Sequence, residues 1–147
     1  MLKRKIDKYL EEWKASVDKK PLIVKGARQV GKTASIRYFG EKYYKYIVEI
    51  NFALQPKYKQ IFADGYEVDS IIKNITLLNP SLVVVPHETL LFFDELQEYP
   101  DCATSLKSFK QDGRYDVICS GSLMGLYYQQ IESNSVGYKT DYEMYSL

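Results

Sequence analysis

The run Gly26-Ala27-Arg28-Gln29-Val30-Gly31-Lys32-Thr33 fits GxxxxGK[ST] at every fixed position. Each residue type has a physical reason to be there. Glycines let the backbone curl so that successive N–H groups point at phosphate oxygens. A helix starting at the end of such a loop adds the positive end of its dipole. Lys32 supplies a mobile point charge for the β- and γ-phosphates, and the Thr33 hydroxyl suits Mg²⁺. A chance match in a chain this long is expected about once in two hundred, from average residue usage. The loop therefore predicts a nucleoside triphosphate, ATP with Mg²⁺, held across residues 26–33.

A second cluster lies some sixty residues on. Leu90-Leu91-Phe92-Phe93-Asp94-Glu95 is an apolar run ending in two carboxylates. Ligands of parallel sheets collect at the carboxyl ends of strands. In that place Asp94 would hold the metal with Thr33, and Glu95 would act as general base on the attacking water. Asp116-Val117-Ile118-Cys119-Ser120-Gly121-Ser122 is a third apolar run with a small polar end. A hydroxyl there could touch the γ-phosphate or the water, and Ser120 and Ser122 both qualify. Gln97 could orient water or couple the site to a neighbour, with a plain surface role as the alternative.

Other polar residues carry less. Arg28 could meet phosphate or a neighbouring subunit, or be a solvated arginine. His87, just before an apolar run, reads as structural. Cys102 and Cys119 belong to no CxxC pair and read as buried packing. Lys107 and Lys110 read as a solvated helix face.

These residues need a scaffold. Ile6, Leu10, Trp13 and Val17 repeat at helical spacing, and Lys19-Lys20-Pro21 ends that helix. Leu22–Val24 is short and branched, a buried strand before the loop. A helix through Ile36 and Phe39 should stop near Gly40. Tyr46–Phe52 is a strand, residues 54–64 hold a short helix, and Val68, Ile71, Ile72, Ile75 and Leu78 form a helical stripe ended by Asn79-Pro80. Thr89–Phe93 is a strand. Ala103–Gln111 is a helix with Asp101 as a cap and Gly113 beyond its end. Tyr115–Cys119 is a strand, Leu126–Glu132 a helix, and Tyr142–Leu147 a last strand. Strands alternating with helices predict a parallel α/β sheet covered on both faces. The apolar end at Met144-Tyr145-Ser146-Leu147 suggests a piece cut inside or just after a strand.

Composition bounds the rest. The chain has 147 residues, which fits one domain over 1–147, and 20 basic against 19 acidic residues give a net charge of +1. Near-neutrality gives no reason to expect nucleic acid or anionic lipid as the main partner. The 14 tyrosines read as strand and surface residues rather than a base-stacking platform. Two cysteines, no apolar stretch after the basic amino end and no run of about 18 apolar residues suggest a cytoplasmic protein without a membrane span.

Taken together, GARQVGKT at 26–33, LLFFDELQ at 90–97, SLKSF at 105–109 and ICSGS at 118–122 resemble the AAA-type predicted ATPases of bacteria and archaea. The resemblance runs from about Leu2 to Leu147. It implies a three-layer phosphate-loop fold with strand order 5-1-4-3-2, ATP as nucleotide and Glu95 as catalytic acid/base. It also implies that residues 135–137 and 142–145 lead into the fifth strand and a helical extension, with a C-terminal domain of unknown function usually following.

Three functions follow from this reading. The first is an Mg²⁺-dependent ATPase module that couples hydrolysis to conformational change, with self-association or a partner protein completing the site. The second is a non-catalytic nucleotide switch or adaptor. The third is a nucleic-acid motor, against which the missing helicase motifs and the near-zero charge weigh. No NKxD or LSGGQ-like segment points to a GTPase or a transporter ATPase.

Overall fold

Leu22, Ile23 and Val24 are fully buried and form the heart of strand β1 (Leu22–Lys25). A computed structural model describes residues 5–26, 31–122 and 128–144. Helix α1 (Lys5–Ala15) precedes β1, and α2 (Lys32–Tyr43) and β2 (Tyr46–Asn51) follow it. A 3₁₀ stretch (Pro56–Phe62), α3 (Val68–Leu78) and β3 (Thr89–Asp94) come next. Two 3₁₀ turns (Leu96–Glu98 and Pro100–Ser105) lead into α4 (Leu106–Asp112), and β4 (Asp116–Gly121), α5 (Tyr128–Ser135) and β5 (Thr140–Glu143) complete the described chain.

The five described strands form one sheet in the order β2-β3-β4-β1-β5, every pair parallel. Read from the other edge this is 5-1-4-3-2, the expected order. Alternation along each strand sorts residues onto two faces. Leu22, Val24, Leu90, Phe92 and Ile118 pack with Ile6, Leu10 and Trp13 of α1 and Ile36 and Phe39 of α2. Ile23, Leu91, Phe93, Val117 and Cys119 pack on the other face with Ile71 and Ile75 of α3, Leu106 and Phe109 of α4 and Ile131 of α5. Both faces are covered, so the fold is a three-layer α/β sandwich. Among the described residues no helix is long and apolar enough to cross a membrane.

Several boundaries differ from expectation. Helix α1 ends at Ala15, where the Ser16 hydroxyl caps the Trp13 carbonyl at 2.7 Å, so Val17 falls in the following turn, fully exposed. Helix α2 runs through Gly40 to Tyr43. Gly40 is there for close packing: a Cβ on it would lie 2.6 Å from Ile47 Cδ1 and 3.1 Å from Leu90 Cδ2. Asp101 does not cap a helix. It sits inside the 3₁₀ turn that Pro100 opens, and α4 starts only at Leu106. Gly113 does close α4, in the left-handed conformation at φ 76°. The last strand begins two residues earlier than expected, because pairing with β1 is set by Thr140 N–H to Pro21 O and Met144 N–H to Lys25 O, at 2.8 and 2.7 Å. Helix α5 is described from Tyr128 on, and the expected start at Leu126 lies outside the described residues, as do residues 145–147.

Candidate functional site

Strand phase decides what meets what. Asp94 shares its side of β3 with Leu90 and Phe92, and Ser120 shares its side of β4 with Ile118. Both therefore face the layer that holds α2. Phe93 stands opposite Cys119 in the parallel pairing, which puts Asp94 and Ser120 one step further at the carboxyl ends. Thr33, in the first turn of α2, arrives above them.

The three residues join. Asp94 is 2% exposed and Ser120 fully buried. The Thr33 hydroxyl donates to Asp94 Oδ2 at 2.7 Å, the Ser120 hydroxyl donates to Oδ1 at 2.6 Å, and the Glu95 N–H donates to Oδ1 at 2.9 Å. Three donors compensate a buried carboxylate that would otherwise carry a large desolvation cost. They also tie β3 to β4 and to α2, across the strand that separates β3 from β1.

Gly31 precedes α2 at φ 86°, a conformation that favours glycine. Lys32 is largely buried, and its ammonium donates to the Gly26 carbonyl at 2.8 Å, one residue past the end of β1. Ala27, Arg28, Gln29 and Val30 lie outside the described residues.

Glu95 breaks the alternation of β3. It is a non-glycine residue in the left-handed region, at φ 58° and ψ 50°. Such a conformation costs on the order of 1–3 kcal/mol and persists where its surroundings hold it. The kink takes Glu95 out of the sheet and into the wall of a cleft of about 540 Å³. Gly31, Lys32, Thr33, Arg37 and Asn51 line the same cleft. Its size suits a small-molecule ligand. Gln97 donates its side-chain amide to Glu95 Oε2 and accepts the Ser122 N–H on Oε1. Ser122 is thus held through its backbone, one step past the end of β4.

Two of these residues were not anticipated. Arg37 lies one helical turn after Thr33 and forms a bidentate pair with Glu49 of β2 at 2.9 and 2.6 Å. Hydrogen bonding to Glu49, then its charge, raises the Arg37 pKa further. Asn51 ends β2, and its side-chain oxygen accepts the N–H groups of Ala53 and Leu54, both at 2.9 Å. The signal for Arg37 was the i, i+4 spacing from Thr33. For Asn51 it was a polar residue closing an apolar strand, the same cue that marked Asp94.

Elsewhere, His87 is exposed in a turn at φ 66°, its N–H donating to the Arg114 carbonyl. Lys107 is exposed, while Lys110 pairs with Asp18 at 2.6 Å. Cys102 and Cys119 are both buried and free, and burial pushes the Cys102 thiol up.

The profile of the AAA domain family matches residues 18–147. The chain belongs to that family. It is an AAA-family ATPase domain, and membership implies nucleotide binding. No curated protein matches the chain in sequence. Among solved structures, this AAA domain is similar to Drosophila ORC bound to DNA, with TM-score 0.58 and 13% identity over 94% of this chain and 41% of that one. It is similar to the Aeropyrum pernix ORC1 protein in complex with DNA, with TM-score 0.56 and 12% identity over 98% of this chain and 44% of that one. It is also similar to C. elegans PCH-2, with TM-score 0.50 and 12% identity over 95% of this chain and 38% of that one. At such identities the likeness is one of fold, and the AAA domain spans less than half the length of each of these chains.

Proposed function

We propose that this AAA domain binds ATP with Mg²⁺, hydrolyses it and converts the step into a conformational change. The observation that carries the reading is the Asp94 carboxylate, which gathers the Thr33 and Ser120 hydroxyls at 2.7 and 2.6 Å beside the cleft lined by Lys32 and Glu95. Residues 26–33 would cradle the phosphates, with Lys32 placing its charge on the β- and γ-phosphates.

Thr33 and Asp94 supply hard oxygen donors, which suits Mg²⁺, a cation that takes one or two protein ligands and leaves the rest to water and phosphate. When bound, Mg²⁺ supplies positive charge against the developing charge of the phosphates. Glu95 takes the proton of the attacking water as general base. Ser120 fixes Asp94 and stands where a change at the γ-phosphate is felt by β4; Ser122 is the second hydroxyl at that strand end.

The same reading places the protein in the cytoplasm, with residues 1–147 as one domain. A second copy or a partner protein completes the site. In support, the cleft opens beside Ala53 and Leu54, and Leu54 is an apolar side chain 81% exposed at its rim. The matched ORC structures hold DNA, but the near-neutral charge of this chain does not favour DNA as its partner.

The test is a pair of substitutions read by nucleotide binding and phosphate release. Lys32→Ala should abolish binding. Glu95→Gln should keep binding within a few-fold and lower turnover by about 10²-fold or more, the scale of general-base catalysis. Equal loss of binding in both would sink the assignment.

A further inference from the structure

We propose that Gln97 is a positioning residue that holds the Glu95 carboxylate in its working orientation and links it to the end of β4. The inference rests on the reading of Glu95 as general base. Its support is the chemistry of one side chain set between two partners of opposite demand. The Ser122 N–H can only donate, and the ionised Glu95 carboxylate can only accept. Gln97 meets both, accepting from Ser122 N–H on Oε1 at 3.1 Å and donating from Nε2 to Glu95 Oε2. The two partners fix which end of the amide is oxygen, so its orientation is determined by the network. A carboxylate at position 97 could serve Ser122 but not Glu95. An ammonium could serve Glu95 but not Ser122.

Two further features were built around this contact. Glu95 is held in the left-handed region at φ 58°, a strained conformation that needs an external hold. Gly121 leaves room for the amide: a Cβ there would lie 2.4 Å from Gln97 Oε1 and 3.0 Å from the Leu96 nitrogen. The Ser-Gly-Ser end of β4 thus has a division of labour. Ser120 binds Asp94, Gly121 admits Gln97, and the Ser122 backbone anchors it. A shift at the end of β4 would be felt at both carboxylates, at Asp94 directly and at Glu95 through Gln97.

The isosteric Gln97→Glu change separates the two contacts, because it keeps the acceptor for Ser122 and replaces the donor to Glu95 with a like charge. We expect kcat to fall about tenfold or more, part of the general-base contribution. Affinity for a non-hydrolysable ATP analogue should stay within about twofold, and the Ser122 amide should keep its protection from hydrogen exchange. Gln97→Ala should lose both turnover and that protection, and Gly121→Ala should lower kcat by displacing the amide. Wild-type turnover in Gln97→Glu would overturn the proposal, leaving Gln97 as a strand-end tie. The contact itself is read by NMR without catalysis: Glu95→Ala should shift the Gln97 side-chain amide signals, and unshifted signals would overturn the link. A wild-type domain with no turnover would sink the hydrolysis reading instead, and the amide signals would then decide the link alone.

Discussion

Asp94 shows how much one residue can organise. A carboxylate 2% exposed is tolerable because three donors meet it, and each donor comes from a different part of the chain. Its two hydroxyl partners are not equivalent in consequence. Thr33 sits at the cleft, where a bound cation could replace its contact, whereas Ser120 is fully buried. Removing the Ser120 hydroxyl takes a charge-assisted hydrogen bond from a buried oxygen. Ser120→Ala should therefore cost about 1–3 kcal/mol in stability, measured by urea unfolding. Ser122→Ala, at a position tied through its backbone, should stay within about 0.5 kcal/mol. Similar losses in the two would contradict the division between these serines. The sequence could not make that choice. Ser120 and Ser122 have the same phase on the strand, so alternation does not separate them. What does is register, Phe93 opposite Cys119, which no local pattern encodes. The GxxxxGKT loop and the Asp94-Glu95 pair stood out in the sequence because each is a contiguous run whose chemistry is local, and of these the structure brings Thr33 onto Asp94.

Elements were legible where their signal was periodic. Helix α3 was expected from its stripe and its Asn79-Pro80 stop, and it ends at Leu78. Misplaced boundaries had tertiary causes. Gly40 looked like a helix stop, because isolated glycine lowers helix propensity by about 1 kcal/mol against alanine. The sheet beneath overrides that local preference, since α2 crosses β2 and β3 so closely that position 40 leaves no room for a large side chain. This makes a size-dependent prediction. Gly40→Ala gains helix propensity and presses mainly on the terminal methyl of Ile47, which can rotate aside, so the two effects should nearly cancel, within about 1 kcal/mol. Gly40→Leu has no room and should lose about 1–3 kcal/mol or more through overpacking. Thermal unfolding checks both. A leucine variant as stable as the wild type would mean that α2 does not lie this close to the sheet. The Pro100–Ser105 turn escaped for a related reason: 3₁₀ turns repeat too briefly to leave a periodic trace.

At the scale of the molecule, alternating helix and strand patterns were enough to imply a parallel sheet, but they do not order its strands; the family resemblance did, and the pairing sets β4 between β1 and β3 as it implied. That position matters, because it lets one ligand bridge strands that are not neighbours. The sheet also has two ends, and each carries a cleft with lysines. The cleft at the amino ends, about 300 Å³, is lined by Lys19, Lys20, His87 and Lys110 among others. Charge alone would make it a rival phosphate site. However, Lys19 already faces Asp116 at 3.0 Å and Lys110 faces Asp18 at 2.6 Å, so much of that charge is neutralised. The cleft at the carboxyl ends, about 540 Å³, combines Lys32 with the start of α2 and the wall at Glu95. Ligands of open parallel sheets bind at that end. Hydrogen exchange with and without Mg²⁺ and a non-hydrolysable ATP analogue should therefore give a polar footprint. Protection should rise at the start of α2, the ends of β3 and β4 and the turn after β2, and stay unchanged at residues 16–21, His87 and Asp116. Ligand at about a hundred times its Kd should add about 2.7 kcal/mol to stability, and Lys32→Ala should lose both the gain and the footprint. Protection gathered at the amino ends would move the nucleotide to the other cleft, leaving the Asp94 cluster as a structural tie between strands.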